Sequence, residues 1–145
     1  MNIHLKEIKE ENWRDCISLR VRKDQERFVA TNENGLALAY AHKEMEPSGI
    51  YNDEKMVGFV MFAKDPDEGI YYINRLMTDE RYQGNSYGRK ALEIVIGILK
   101  ERGAKFIDII HKPDNFSAIK LCRSLGFEPT DEKLNEDMIS GVNFN

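Results

Sequence analysis

The stretch Arg81-Tyr82-Gln83-Gly84-Asn85-Ser86-Tyr87-Gly88-Arg89-Lys90 concentrates the groups of this chain that could hold an anion. Gly84 and Gly88 permit a tight turn and a close approach of backbone to a ligand. The residues that follow open a helix, whose first N–H groups have no partner within it. A loop of this kind suits phosphate oxygens, and Arg81, Arg89 and Lys90 add positive charge beside it. An ordinary strand-to-helix turn would use the same residue types, with Gly for geometry and charge for solubility. Spacing alone does not separate the two readings. The segment is not a Walker loop, because no Gly-Lys-Ser/Thr follows, and it lacks the G-x-G-x-x-G of a dinucleotide site. A second feature is electrostatic. Residues 44–68 carry Glu44, Glu46, Asp53, Glu54, Asp65, Asp67 and Glu68 against Lys55 and Lys64. Such a run is either a solvated face or an attractor for a cationic ligand. The two cysteines, Cys16 and Cys122, are too few for a disulfide framework and lack zinc-ligand spacing. His4, His42 and His111 show no ligand spacing either, so no metal is expected.

These groups must be positioned by one domain spanning residues 1–145, a length that suits a single core. With 41% hydrophobic and 32% charged residues the composition is globular. The net charge of −4 argues against a nucleic-acid surface. No apolar run approaches the roughly 20 residues of a membrane span. The N-terminal stretch has no signal-like apolar region, so a cytoplasmic location and no membrane partner are expected. Oligomeric state is not legible, and a homodimer stays open.

Ile3, Leu5 and Ile8 read as a first strand, and Trp13, Cys16, Ile17 and Val21 as a helix capped by Asn12. Asn34-Gly35 reads as a turn, Leu36 to His42 as a weaker helix, and Pro47-Ser48-Gly49 as its end. Ile50-Tyr51 and Val57 to Ala63 form a hairpin around a polar turn, and Ile70 to Thr78 adds a third strand. Ala91, Leu92, Val95, Ile96 and Leu99 make the strongest helical stripe, stopped at Arg102-Gly103. Phe106 to Ile110 is a short apolar strand, Asn115 opens a helix closed by Gly126, and Phe127 begins another strand. Residues 131–137 are acidic and polar, and Met138 to Phe144 would be a last strand weakened by Gly141. The strand–helix–strand unit over 70–110 is long enough to place two strands parallel. The expectation is a mixed α/β sheet, largely antiparallel with a central parallel crossover, flanked by helices.

Gln83-Gly84-Asn85-Ser86-Tyr87-Gly88 resembles the Q/R-x-x-G-x-G/A acyl-CoA loop of the GNAT N-acetyltransferases. Asn115 to Phe127 (NFSAIKLCRSLGF) is similar to that family's N-x-x-A-x-x-x-Y-x-x-x-G-F segment. The two motifs stand in the family's order with one strand between them. Phe28-Val29-Ala30-Thr31-Asn32, Gly49-Ile50-Tyr51 and Ile73 to Asp79 resemble the small bacterial spermine/spermidine acetyltransferases in particular. Ser86 stands where the loop pattern has its first Gly, and Cys122 where many members carry a Tyr that protonates the leaving thiolate.

The resemblance implies acetyl-CoA as cosubstrate and a small-molecule amine, a polyamine or diamine, as acceptor. It places the pyrophosphate on Gln83, Gly84, Asn85, Ser86, Tyr87 and Gly88, with Arg89 beside them. It runs the pantetheine along Leu76, Met77 and Thr78 and adds a contact from Asn115, which is also a good helix cap. Cys122 becomes the candidate acid, with buried packing as its plain alternative. Glu33 and Glu46 become the candidate acceptor-binding acids. Another amine (an aminoglycoside, an amino acid or a protein N-terminus) and a weakly active acyl-CoA-binding module are the alternatives.

Overall fold

The apolar stripe predicted between the loop and Gly103 is the helix that organises the core. In a computed structural model, which describes residues 2–144, Ala91, Leu92, Val95 and Leu99 are all buried. They pack on Ile73, Ile107, Ile109, Cys122 and Phe127. The elements run β1 (Ile3–Glu7), α1 (Trp13–Ser18), α2 (Asn32–Ala41), β2 (Glu46–Asn52), β3 (Lys55–Lys64) and β4 (Tyr71–Thr78). They continue with α3 (Tyr87–Glu101), β5 (Phe106–His111), α4 (Phe116–Ser124), β6 (Glu128–Leu134) and β7 (Asp137–Asn143). One seven-stranded sheet has the order β1-β2-β3-β4-β5-β7-β6. Among the described residues only β4 and β5, joined through α3, are parallel, and the other pairings are antiparallel. A second cluster, from Cys16 and Leu19 to Phe59, Met61 and Met77, is covered by residues of α1 and α2.

Several local expectations change. Asn34-Gly35 is not a turn but lies in the first turns of α2, which Thr31 caps by accepting the Asn34 N–H at 3.2 Å. Pro47-Ser48-Gly49 does not end a helix; it lies within β2, with Ser48 and Gly49 paired on both sides and Pro47 paired with β3. Helix α1 stops at Ser18, short of Val21. Asn12 makes no side-chain cap. Its carboxamide instead accepts the Lys9 N–H at 2.7 Å and donates to Glu7 O and the Tyr51 hydroxyl. The polar stretch 131–137 belongs mostly to β6, which turns through Asn135 at φ 57° into β7.

Two irregularities of β4 set up the site. Phe62 pairs with Ile73 and Met61 with Arg75, so Asn74 is an extra residue on β4. A bulge of this kind bends its strand and increases the local twist. Pairing of β4 with β5 ends at Ile73 and Ile109. Beyond that point the two strands part, and among the described residues no strand pairs with the β5-facing edge of residues 74–78.

Candidate active site

The chain leaves β4 through Asp79, which is 2% exposed and ties down the loop. Its carboxylate accepts the Arg81 N–H at 3.0 Å, the Arg81 Nε at 2.8 Å and the Arg20 N–H at 3.0 Å. Burial alone would raise this carboxyl, but the hydrogen bonds from Arg81 and Arg20 and the Arg81 charge hold it below the usual range. After a 3-10 turn at Glu80–Tyr82, Gly84 takes φ 85° and Ser86 φ 63°. Ser86 thus adopts the left-handed conformation itself, at the N-cap of α3. The first intrahelical bond runs from Lys90 N–H to Ser86 O, so the N–H groups of residues 87–89 precede it. Left-handed residues just before a helix start make the kind of concave amide surface that takes phosphate oxygens.

The side chains of this loop mostly hold it in shape. Gln83 donates to Thr78 O at 3.0 Å and to the Gln25 side chain at 2.8 Å, strapping the loop to the end of β4. Asn85 donates back to Tyr82 O at 2.9 Å. The Tyr87 hydroxyl accepts from Asn52 at 3.1 Å, fixing the start of α3 to the end of β2. Arg89 lies between Glu93, at 3.3 Å, and the Ser124 hydroxyl on α4. A Cβ on Gly88 would meet only Thr78 Oγ1, at 3.6 Å, so the protein itself leaves room there.

Between the parted strands lies a cavity of about 710 Å³. Leu76, Asn115 and Cys122 line it, whereas Met77 is buried in the cluster under α1 and α2 and Thr78 lies outside the lining. The Asn115 side chain accepts the Ala118 N–H at 3.3 Å, so it caps α4 and faces the cavity as well. Cys122 is 3% exposed, and burial pushes its thiol up to about 11. It therefore carries its proton at neutral pH.

The cavity wall is rich in acids. Asp65, Glu68, Asp108, Glu132 and Asp137 line it with Arg75 and Lys112 as the only basic groups, and Lys112 is paired with Asp137 at 2.8 Å. His111 also faces in; its Nδ1 lies 3.0 Å from Lys112 O and its Nε2 2.8 Å from the Ser140 hydroxyl. The carbonyl can only accept, so the neutral ring carries its proton on Nδ1 and takes the serine hydrogen on Nε2. Asn74 Oδ1, Arg75 Nε and Asp108 Oδ1 are buried without a hydrogen-bond partner, and all three residues line this cavity.

Two expected acids are elsewhere. Glu33 pairs with Arg20 at 3.2 Å and Glu46 with Arg102 at 2.6 Å, and neither lines the cavity. Sequence reasoning passed over Asp108, Glu132 and Asp137. The signal available was an acid inside the apolar run Phe106 to Ile110, where a strand buried on both faces has no ordinary use for a charge. Among the described residues no group of three or more His, Cys, Asp or Glu is arranged to hold a metal ion, and no helix is long and apolar enough to cross a membrane.

Comparison with known proteins bears on the same segments. The chain is 29% identical over 135 residues to the spermine/spermidine N(1)-acetyltransferase of Bacillus subtilis (strain 168), covering 88% of this chain and 89% of that protein. The ribosomal-protein-S18-alanine N-acetyltransferase of Escherichia coli matches in structure with a TM-score of 0.75 at 17% identity, over 99% of this chain and 95% of that one. The PaiA N-acetyltransferase of Thermoplasma acidophilum, solved in complex with coenzyme A, matches with a TM-score of 0.68 at 15% identity over 99% of both chains. At such identities these two structures speak for the fold. The profile described as the acetyltransferase (GNAT) family matches residues 5–127. That span runs from within the first strand through α4, including the loop and the parted strands, and the chain belongs to the GNAT acetyltransferase family.

Proposed function

We propose that this protein transfers the acetyl group of acetyl-CoA to a primary amine of a polyamine. The observation that carries the reading is the juxtaposition of an amide-rich loop after β4 with an acid-lined cavity between the parted strands. The backbone of Gln83 to Gly88 holds the pyrophosphate. The unpaired edge of residues 76–78 takes the pantetheine arm as an added strand would be taken, and a backbone N–H there polarises the thioester carbonyl. The acceptor nitrogen attacks that carbonyl; a C–N bond forms and the C–S bond breaks. The nitrogen, charged at neutral pH, gives up one proton to solvent before it attacks and a second as the amide forms, while one proton is delivered to the leaving sulfur.

A polyamine arrives almost wholly charged at neutral pH, since its amines titrate near 10, about where Lys does. The carboxylates Asp65, Glu68, Asp108 and Glu132 give the cavity the matching sign. The relative in Bacillus subtilis, named for spermine and spermidine, supports the same acceptor class. We assign return of the proton to Cys122, the thiol in the cavity wall. Its burial bounds the contribution: a thiol near 11 is a weaker acid than an ordinary thiol near 8.5, so the transfer runs uphill. Release of free CoA thiol, followed across spermidine, spermine, short diamines, amino acids, aminoglycosides and an N-terminal peptide, tests the reading. Turnover greatest with polyamines supports it. Turnover greatest with an amino acid or a peptide overturns the acceptor, and no turnover with any amine overturns the enzyme.

A further inference from the structure

Among the described residues, the carboxylate of Asp108 in the cavity wall has a buried oxygen with neither a hydrogen-bond nor an ion-pair partner. Asp108 is 9% exposed, its Oδ1 has no hydrogen-bond partner, and it appears in no ion pair among the described residues. The cations nearby form no ion pair with it, although Arg75 Nε is itself buried without a hydrogen-bond partner. Lys112 is held by Asp137, while Arg75 donates to Asn74 O and to Asn34 Oδ1. Glu132 and Glu68 bear on Asp108 with charge of the same sign. The opposite strand makes room for this carboxylate. Gly141 is the register partner of Asp108, and a Cβ there would stand 2.9 Å from Asp108 Oδ1 and 3.0 Å from the Phe106 ring. A buried carboxylate without a partner is costly. A niche that keeps one, among further acids, calls for a cationic hydrogen-bond donor from outside.

Position separates this niche from the reacting centre. Asp108 is level with Tyr72 on β4, on the paired side of the point where the strands part. Leu76, where the thioester is placed, lies four residues further along, about 13 Å at roughly 3.3 Å per residue. That is the span of an extended triamine, not of a single amino group.

We propose that Asp108, flanked by Glu68 and Glu132, anchors a distal, non-reacting ammonium of the acceptor and so sets a preference for long polyamines over monoamines and short diamines. The inference rests on the polyamine reading above and assigns its selectivity to one residue.

Asp108→Asn keeps the shape and removes the charge. The test compares kcat/KM for spermidine with kcat/KM for butylamine in wild type and variant, alongside calorimetric titration of spermidine into each protein with CoA present. Loss of one charge-assisted hydrogen bond predicts a spermidine-to-butylamine ratio lower by about tenfold or more, carried by KM for spermidine, with KM for acetyl-CoA unmoved. Spermidine affinity falls by a similar factor. Glu132→Gln, at an exposed position, lowers the same ratio by a smaller factor and serves if the first variant does not fold. Wild type that prefers spermidine, with an unchanged ratio in folded Asp108→Asn, overturns the anchor and leaves polyamine acetylation standing. A fall in kcat with KM for spermidine unmoved also overturns it, since Asp108 would then act on the reacting nitrogen. Wild type that uses butylamine as well as spermidine overturns both readings.

Discussion

Asp108→Asn should stabilise the fold at neutral pH, and the gain should vanish in acid. Burial, reinforced by Glu132 and Glu68, pushes the Asp108 carboxyl from 3.8 up to about 6. The folded chain therefore holds this proton more tightly than the unfolded chain does. Between about pH 4 and pH 6 the folded state has more protons bound, so wild type loses stability as pH rises through that window and is level above it. A gap of about two pH units at 1.36 kcal/mol each gives a ceiling of about 3 kcal/mol. The amide does not ionise and escapes this penalty. Thermal and urea unfolding of both proteins from pH 4 to pH 8 measures the difference. Wild type and variant should melt together near pH 4 and diverge through pH 5–6. Above that, the variant should melt higher by about 2–4 °C for each kcal/mol, given a domain of this size. Unfolding curves that keep a constant separation at every pH would refute the argument, because they would mean that the carboxylate is not desolvated in the fold. The same titration predicts that KM for spermidine rises below about pH 6, where Asp108 takes up its proton.

Gly88→Glu should leave the fold intact, given the open space beside Thr78, and weaken acetyl-CoA binding about tenfold or more by putting a negative side chain at the helix start; unchanged affinity in calorimetry would sink the phosphate assignment. Cys122→Ala should lower kcat by less than the 10²–10⁴ typical of general acids, because the buried thiol is a weak donor, with little change in KM for acetyl-CoA. Equal kcat would remove the thiol from the mechanism. Glu33→Gln and Glu46→Gln should each break a half-exposed ion pair, cost under about 1 kcal/mol, and leave KM for spermidine where it was. KM for spermidine should rise with added salt, since charge-driven attraction is screened over about 10 Å at 0.1 M, whereas KM for butylamine should respond less.

Some of the proposed site is a property of a short run of chain, and its expectation rests on that run alone. The loop from Gln83 to Gly88 must turn from a strand into a helix, and its glycines, its charges and the apolar stripe that follows lie within some twenty residues. The parallel crossover follows for the same reason: strand, long helix and strand are consecutive, and chain connectivity leaves one favoured hand. Local periodicity misled where packing overruled it. Asn34-Gly35 has the look of a turn, yet in helix α2 a Cβ on Gly35 would stand 3.2 Å from the Phe59 ring, so the close packing of the helix on the sheet favours a residue with no side chain there. Pro47 and Gly49 have the look of breakers, yet pairing with β3, and for Gly49 with β1 as well, holds them extended.

What the sequence by itself determined was therefore the order of elements, the strand-to-helix loop at Gln83 to Gly88 and the family resemblance that both carry. The acid-lined cavity, proposed as the acceptor site, was decided only by the tertiary structure. Asp65 and Glu68 come from the turn before β4, Asp108 from β5, and Glu132 and Asp137 from the last hairpin. Their neighbourhood exists because β7 inserts beside β5 and because the bulge at Asn74 parts β4 from it. Glu33 and Glu46 looked equally suitable as acids in a list of residues, but arginines from distant elements, Arg20 and Arg102, meet them first. A carboxylate's role is set by which charges lie within a few ångströms of it. Those distances are fixed by long-range pairing of strands, which no local spacing encodes.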